Sequence, residues 1–141
     1  MKFSDIPQSL RARCKVQPDS PRHADAPFGV ALRIPIRIYS EANLREHWSA
    51  KARRAKHQRE MVAAHFRANG GPLPRFPVSV KLVRYGKKLL DSADNLPIGF
   101  KHVVDEIAAI YGVDDGDPRW TWAYEQEQSR EYGILVVLSN R

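Results

Sequence analysis

Between Leu32 and Tyr39 the chain changes character at every step. Leu32, Ile34, Ile36 and Ile38 are apolar, and Arg33, Pro35, Arg37 and Tyr39 stand between them. A two-residue period is that of a strand with one buried face, and Pro35 moves this strand to the edge of a sheet. The period then lengthens. From Ser40, a plausible N-cap, to Asn69 the chain is rich in Ala, Arg and Lys, and Leu44, Trp48, Ala52, Ala55, Val62 and Phe66 form a narrow apolar stripe. This predicts a helix, ended by Gly70, Gly71, Pro72 and Pro74. Val78, Val80 and Leu82 restore the strand period, and Gly86 to Asp94 reads as a loop. Leu96, Phe100, Val103, Ile107 and Ile110 recur at helical spacing and predict a second helix over 95–111, stopped by Gly112. Two closing strands follow, one either side of a turn near Arg130.

The order β-α-β-α-β-β predicts an α+β domain with a four-stranded mixed sheet and two helices, spanning 30–141. Residues 1–29 carry Pro7, Pro18, Pro21 and Pro27 with no sustained period, and read as an irregular arm. A chain of 141 residues fits one such domain. No apolar run approaches the ~20 residues that span a bilayer, and the N-terminal stretch has no apolar signal core. Cys14 is the single cysteine, so no internal disulfide is expected. A cytoplasmic protein without membrane contact is the expectation.

A formal net charge of +7 makes a polyanion the first partner to consider. Against that basic background, aspartates gather around the second helix. Asp91 and Asp94 precede it, Asp105 lies within it, and Asp114, Asp115 and Asp117 follow it. An α-helix turns about 100° per residue, so Asp94, Lys101 and Asp105 return to nearly one direction. Carboxylates crowded together repel unless a counter-charge joins them. Hard cations such as Mg²⁺ take oxygen ligands and keep several waters, so two or three carboxylates suffice. Bound there, such an ion would polarise a phosphate, and Lys101 could offset the charge that develops on it. The plainer account makes Asp94 an N-cap, Asp105 a solvated side chain, and the "DDGDP" run a turn. That run lacks the ligand pattern of an EF-hand, no phosphate-binding glycine loop is present, and His47, His57, His65 and His102 lack zinc-site spacing.

Taken together, "SEANLREHW", "DNL" with a following lysine and aspartate, and "GVDDGDP" resemble the RusA-type crossover-junction endodeoxyribonucleases, over roughly 31–138. The resemblance implies a homodimeric, Mg²⁺-dependent nuclease that nicks two opposed strands of a four-way DNA junction. It implies Asp91 and Asp94 as the acids before the helix, Lys101 as the lysine within it, and Asp115 or Asp114 as the acid after it. Asn43 takes the place of an asparagine between the first strand and first helix. The first two acids stand three residues apart, where the enteric prototype has D-x-D. Lys101 lies about one helical turn further on, which preserves its face.

The first helix offers Arg45, Lys51, Arg53, Arg54 and Lys56 with few acids between them, and Arg84, Lys87 and Lys88 lie on the approach to Asp91. Cations three or four apart can follow phosphates without reading bases, which suits recognition of shape. Trp120, Trp122 and Tyr124 share one strand face, for which burial in the core or in a dimer interface is expected ahead of stacking on unpaired bases. The rival reading is a non-enzymatic DNA-binding protein on the same fold, its acids reduced to caps and turns.

Overall fold

The computed structural model describes residues 29–40, 46–70, 75–91 and 94–140. They form β1 (Gly29–Ile34), α1 (Trp48–Ala68), β2 (Val78–Gly86), α2 (Asn95–Gly99), α3 (Lys101–Tyr111), β3 (Trp120–Gln128) and β4 (Gly133–Asn140). The fold is α+β with a four-stranded mixed sheet, as expected, but has three helices where two were predicted. The predicted arm, apart from Gly29, lies outside the described residues.

The strands lie in the order β1-β4-β2-β3. β4 pairs antiparallel with both β1 and β2, and β2 pairs parallel with β3. The two closing strands are therefore not neighbours, because β4 is inserted beside β1. Composition explains the placement. "GILVVL" is apolar without alternation and is buried on both faces, as a central strand must be. β3 alternates between burial and exposure along "WTWAYEQE" and takes the outer edge. β1 takes the other edge and ends before Pro35, as the proline required.

The main core joins Val30, Leu32 and Ile34 to Val62 and Phe66 of α1 and to Val103 and Ile107 of α3. Trp120 belongs to it, and Trp122 and Tyr124 pack against it. A second cluster on the opposite sheet face, Val83, Tyr85 and Leu135, contains no helical residue.

α1 begins at Trp48, and its cap is seven residues later than the predicted Ser40: His47 accepts a hydrogen bond from the Ser49 N–H at 3.2 Å. Ile36 and Ile38, between β1 and α1, are both buried. The predicted apolar stripe also shortens. Trp48 is 74 % exposed, and the buried residues are Gln58, Val62 and Phe66. Leu44 lies outside the described residues.

The predicted second helix breaks at Phe100, whose φ of −87° and ψ of 1° separate α2 from α3. Asp94 and Lys101 thus belong to no continuous helix, and only Lys101 and Asp105 keep the predicted register. The break follows from packing, since Gly99 is pressed against the chain leaving β1. A Cβ there would stand 2.7 Å from Ile38 Cγ2 and 2.8 Å from the Tyr39 carbonyl oxygen. α3 then ends at Gly112, left-handed at φ 69°, where the sequence placed its stop.

Gly99→Ala tests this close approach. Helix propensity alone would stabilise the alanine variant by at most ~1 kcal/mol, whereas overpacking costs about 1–3 kcal/mol. Net destabilisation is expected in urea unfolding; a variant more stable than wild type would show that the approach is not tight.

Candidate active site

The loop leaving β2 carries Asp91 and is held at four backbone positions. The Ser129 N–H donates to the Gly86 carbonyl at 2.8 Å, and Gln128 Nε2 donates to the Lys87 carbonyl at 3.2 Å. The Gln126 amide braces Leu90 twice, accepting from its N–H at 2.8 Å and donating to its carbonyl at 2.6 Å. Arg84 supplies the fourth hold, donating from Nη1 to the Lys88 carbonyl at 2.8 Å and from Nε to the Ile38 carbonyl at 3.1 Å. Gly86 makes room for this guanidinium, which a Cβ would meet at 2.8 Å.

Arg84 is 4 % exposed, so it cannot serve as the DNA contact predicted for it. Alternation misleads here, because β2 is buried on both faces from Leu82 onward. Burial holds the Arg84 pKa below the usual arginine range, and nearby Arg37 adds to the effect.

Asp91 and Asp94 are both exposed. The Asp91 carbonyl accepts from the Leu96 N–H at 2.9 Å, tying the loop to α2. Asp94 occupies the N-cap position of α2, yet its carboxylate makes no capping hydrogen bond. Ser92 and Ala93 lie outside the described residues.

Beyond α3, Asp114 is used in a turn, its Oδ2 accepting from the Gly116 N–H at 3.0 Å. Asp117 pairs with Arg119, which holds its carboxyl below the usual range. Asp115 points back along β3. Its carbonyl takes the Trp122 indole N–H at 3.0 Å. The Tyr124 phenol is raised in pKa by burial first and by the Asp115 carboxylate second. Tyr124 in turn packs 5.9 Å from Phe100, at the break between α2 and α3.

Lys101 is 67 % exposed at its side chain and lies 3.4 Å from Asp105 Oδ2. The same oxygen is 3.2 Å from Arg59 Nη2 on α1. Such a surface pair contributes at most about 1 kcal/mol, so it does not fix the lysine.

All-carboxylate donors suit a hard divalent ion. Convergence is the weaker part of the fit. Among the described residues no group of three Asp, Glu, His or Cys side chains is close enough together to hold a metal ion. Asp91, Asp94, Asp114 and Asp115 therefore do not form the shared cage that the sequence suggested.

Of the predicted DNA contacts, Asn43 and Arg45 lie outside the described residues. Lys51, Arg53 and Lys56 are exposed on α1, and Lys87 and Lys88 are exposed on the β2 loop. Arg54 is turned inward instead, paired with Glu46 and lying over the Tyr39 ring at 4.8 Å.

Gln126, Gln128 and Arg59 were missed. The glutamines continue the every-second-residue series of Trp120, Trp122 and Tyr124, so their shared strand face was visible in the sequence. No sequence signal pairs Arg59 with Asp105, 46 residues away.

The chain matches no family model, and no curated protein matches it. Among the described residues, no helix is long and apolar enough to cross a membrane.

Two measurements check this geometry. Asp115→Asn should lower the Tyr124 pKa while leaving it above that of a free tyrosine, because burial remains. An unchanged value in an NMR titration would remove Asp115 from that ring. Gln126→Ala should speed amide exchange at Leu90 and cost about 1–3 kcal/mol through the unsatisfied loop backbone. Wild-type protection at Leu90 would show that the brace is dispensable.

Proposed function

We propose that this protein is an endonuclease of the RusA type that cuts four-way DNA junctions by paired nicks, in recombination, repair or phage DNA processing. The observation that carries this reading is the position of the acids. Asp91 and Asp94 follow β2 at the carboxyl end of the parallel β2–β3 pair, where open α/β sheets commonly bind ligands. Exposed Lys87 and Lys88 stand on the same loop, so carboxylates and phosphate-binding cations share one rigidly held segment.

In this reading Asp91, Asp94 and Asp115 are the acids of the site, with Asp114 as the alternative to Asp115. Mg²⁺ is their cofactor and, when bound, supplies Lewis-acid polarisation of the phosphate. Lys101 leaves Asp105 to offset charge on the phosphate, which its weak surface pair permits. Lys51, Arg53 and Lys56 extend the contact along α1. Junction choice and the homodimer rest on the sequence resemblance, since two opposed nicks call for two symmetric sites.

A second reading has a specific observation in its favour. Because no three ligands converge among the described residues, the same surface would also serve a DNA-binding protein that does not cut.

The test uses the full chain with a labelled synthetic four-way junction. Wild type should nick it in Mg²⁺ and not in EDTA. Asp94→Asn should bind it with an unchanged Kd while cleavage falls by ~100-fold or more, the scale on which one transition-state contact is felt. Equal cutting by both proteins rejects the acid assignment. Salt-dependent binding without any cutting by wild type selects the second reading.

A further inference from the structure

Three cations and two tyrosines form a continuous ladder across the molecule. Arg54 of α1 lies 4.8 Å from the Tyr39 ring centroid, and Arg37 lies 4.7 Å from the same ring. Arg37 also stands 4.1 Å from the Tyr132 ring, which Lys87 approaches at 5.8 Å. Lys87 then lines an open pocket of about 410 Å³ with Gln128, Ser129 and Arg130. The ladder therefore runs from the basic helix to the mouth of the loop that bears Asp91.

Its middle is rigid. Gln58, 1 % exposed, donates to the Arg37 carbonyl at 3.1 Å, and Arg84 donates to the Ile38 carbonyl next to it. Two buried side chains, from the helix and from the sheet, thus fix the segment that presents Arg37 and Tyr39.

The charge of this surface is not compensated from within. Arg54 has Glu46, but Arg37, Lys87 and Arg130 have no carboxylate partner among the described residues. Arg84 beneath them is held by carbonyls alone, so its charge also remains. Like charges gathered on fixed supports are stabilised by a bound anion. Cations already lie against both tyrosine rings, which opposes base stacking and favours contact with the phosphate chain.

We infer that Arg37 and Lys87, ordered by Tyr39 and Tyr132, form with Arg130 at the pocket beyond them a track for the phosphodiester backbone that leads a nucleic-acid strand from α1 to the Asp91 loop. This rests on the nucleic-acid part of the function proposed above and does not require cleavage. Arg37, Arg130 and the two tyrosines are additions to the cations read from the sequence.

Binding of a labelled four-way junction and of a linear duplex, measured across a salt series with the full chain, tests the track. Each phosphate contact contributes about 0.9 to the slope of log affinity against log salt. Arg37→Gln with Arg130→Gln should lower that slope by about 1.8 for both DNAs and weaken binding at low salt by about ten-fold or more. Arg67→Gln with Arg75→Gln removes the same charge elsewhere on the exposed surface and should leave the slope unchanged. All four side chains are exposed, and an unaltered Tm confirms that each protein is folded.

Equal losses in the two pairs would reduce the effect to net charge and overturn the track. Wild-type slopes in the first pair would overturn it while leaving DNA binding intact. Absence of DNA binding by wild type would remove both the track and the nuclease reading. Absence of cutting alone would remove only the latter.

Discussion

One buried guanidinium ties together the chain leaving β1 and the loop leaving β2. Arg84 occupies a sheet position and is almost wholly removed from water, which is costly for a charge without partners. It gains two carbonyl acceptors from chain segments that otherwise have no reason to meet, Ile38 after β1 and Lys88 after β2. Hydrogen bonds to a charged donor contribute about 1.5–3 kcal/mol each, enough to offset much of that cost. A lysine could not replace it, because a single ammonium lacks the planar fork whose separate nitrogens reach the two carbonyls. Gly86 completes the arrangement by leaving the guanidinium the space that a side chain would occupy.

The choice of carbonyls as partners matters as much as their positions. A carboxylate in the same place would have neutralised Arg84 and quieted the whole corner. Carbonyls satisfy its donors and leave its charge, and that charge adds to those of Arg37, Lys87 and Arg130 above it. The Tyr39 and Tyr132 rings permit this crowding by offering cations a negative face without a compensating ion. A field of one sign is thus built at the loop on which Lys87 and Lys88 are followed by Asp91 and Asp94.

What the sequence disclosed follows the range of each interaction. Alternation from Leu32 to Ile38 predicted an edge strand, and β1 takes that edge. It spans Gly29–Ile34 and stops at Pro35, so the alternation beyond Ile34 marked buried Ile36 and Ile38 rather than strand. The Gly112 stop was local. β4 was read as a strand from "GILVVL", but its insertion between β1 and β2 is a contest among distant segments. The division at Phe100 was hidden for the same reason, because it depends on Gly99 meeting Ile38 and Tyr39 across the fold. For the candidate site, exposure of Lys87 and Lys88 agrees with the reading from charge, whereas Arg84 and Arg54 do not. An arginine in a run of cations looks the same whether it faces water, a carbonyl or Glu46.

The acids show the limit of spacing arguments most clearly. Asp94, Lys101 and Asp105 share a helical face only if the helix is unbroken, and the turn at Phe100 removes that premise. Asp105 is left between Lys101 and Arg59 as a tie between α3 and α1, while Asp94 faces solvent on its own segment. Asp115 is tied to β3 instead, its carbonyl accepting from the Trp122 indole and its carboxylate acting on the Tyr124 phenol. The carboxylates are therefore placed by three independent supports: the Gln126 brace on the Asp91 loop, the start of α2, and the aromatic face of β3. Separate supports leave the described acids without a common point at which three side chains could hold an ion.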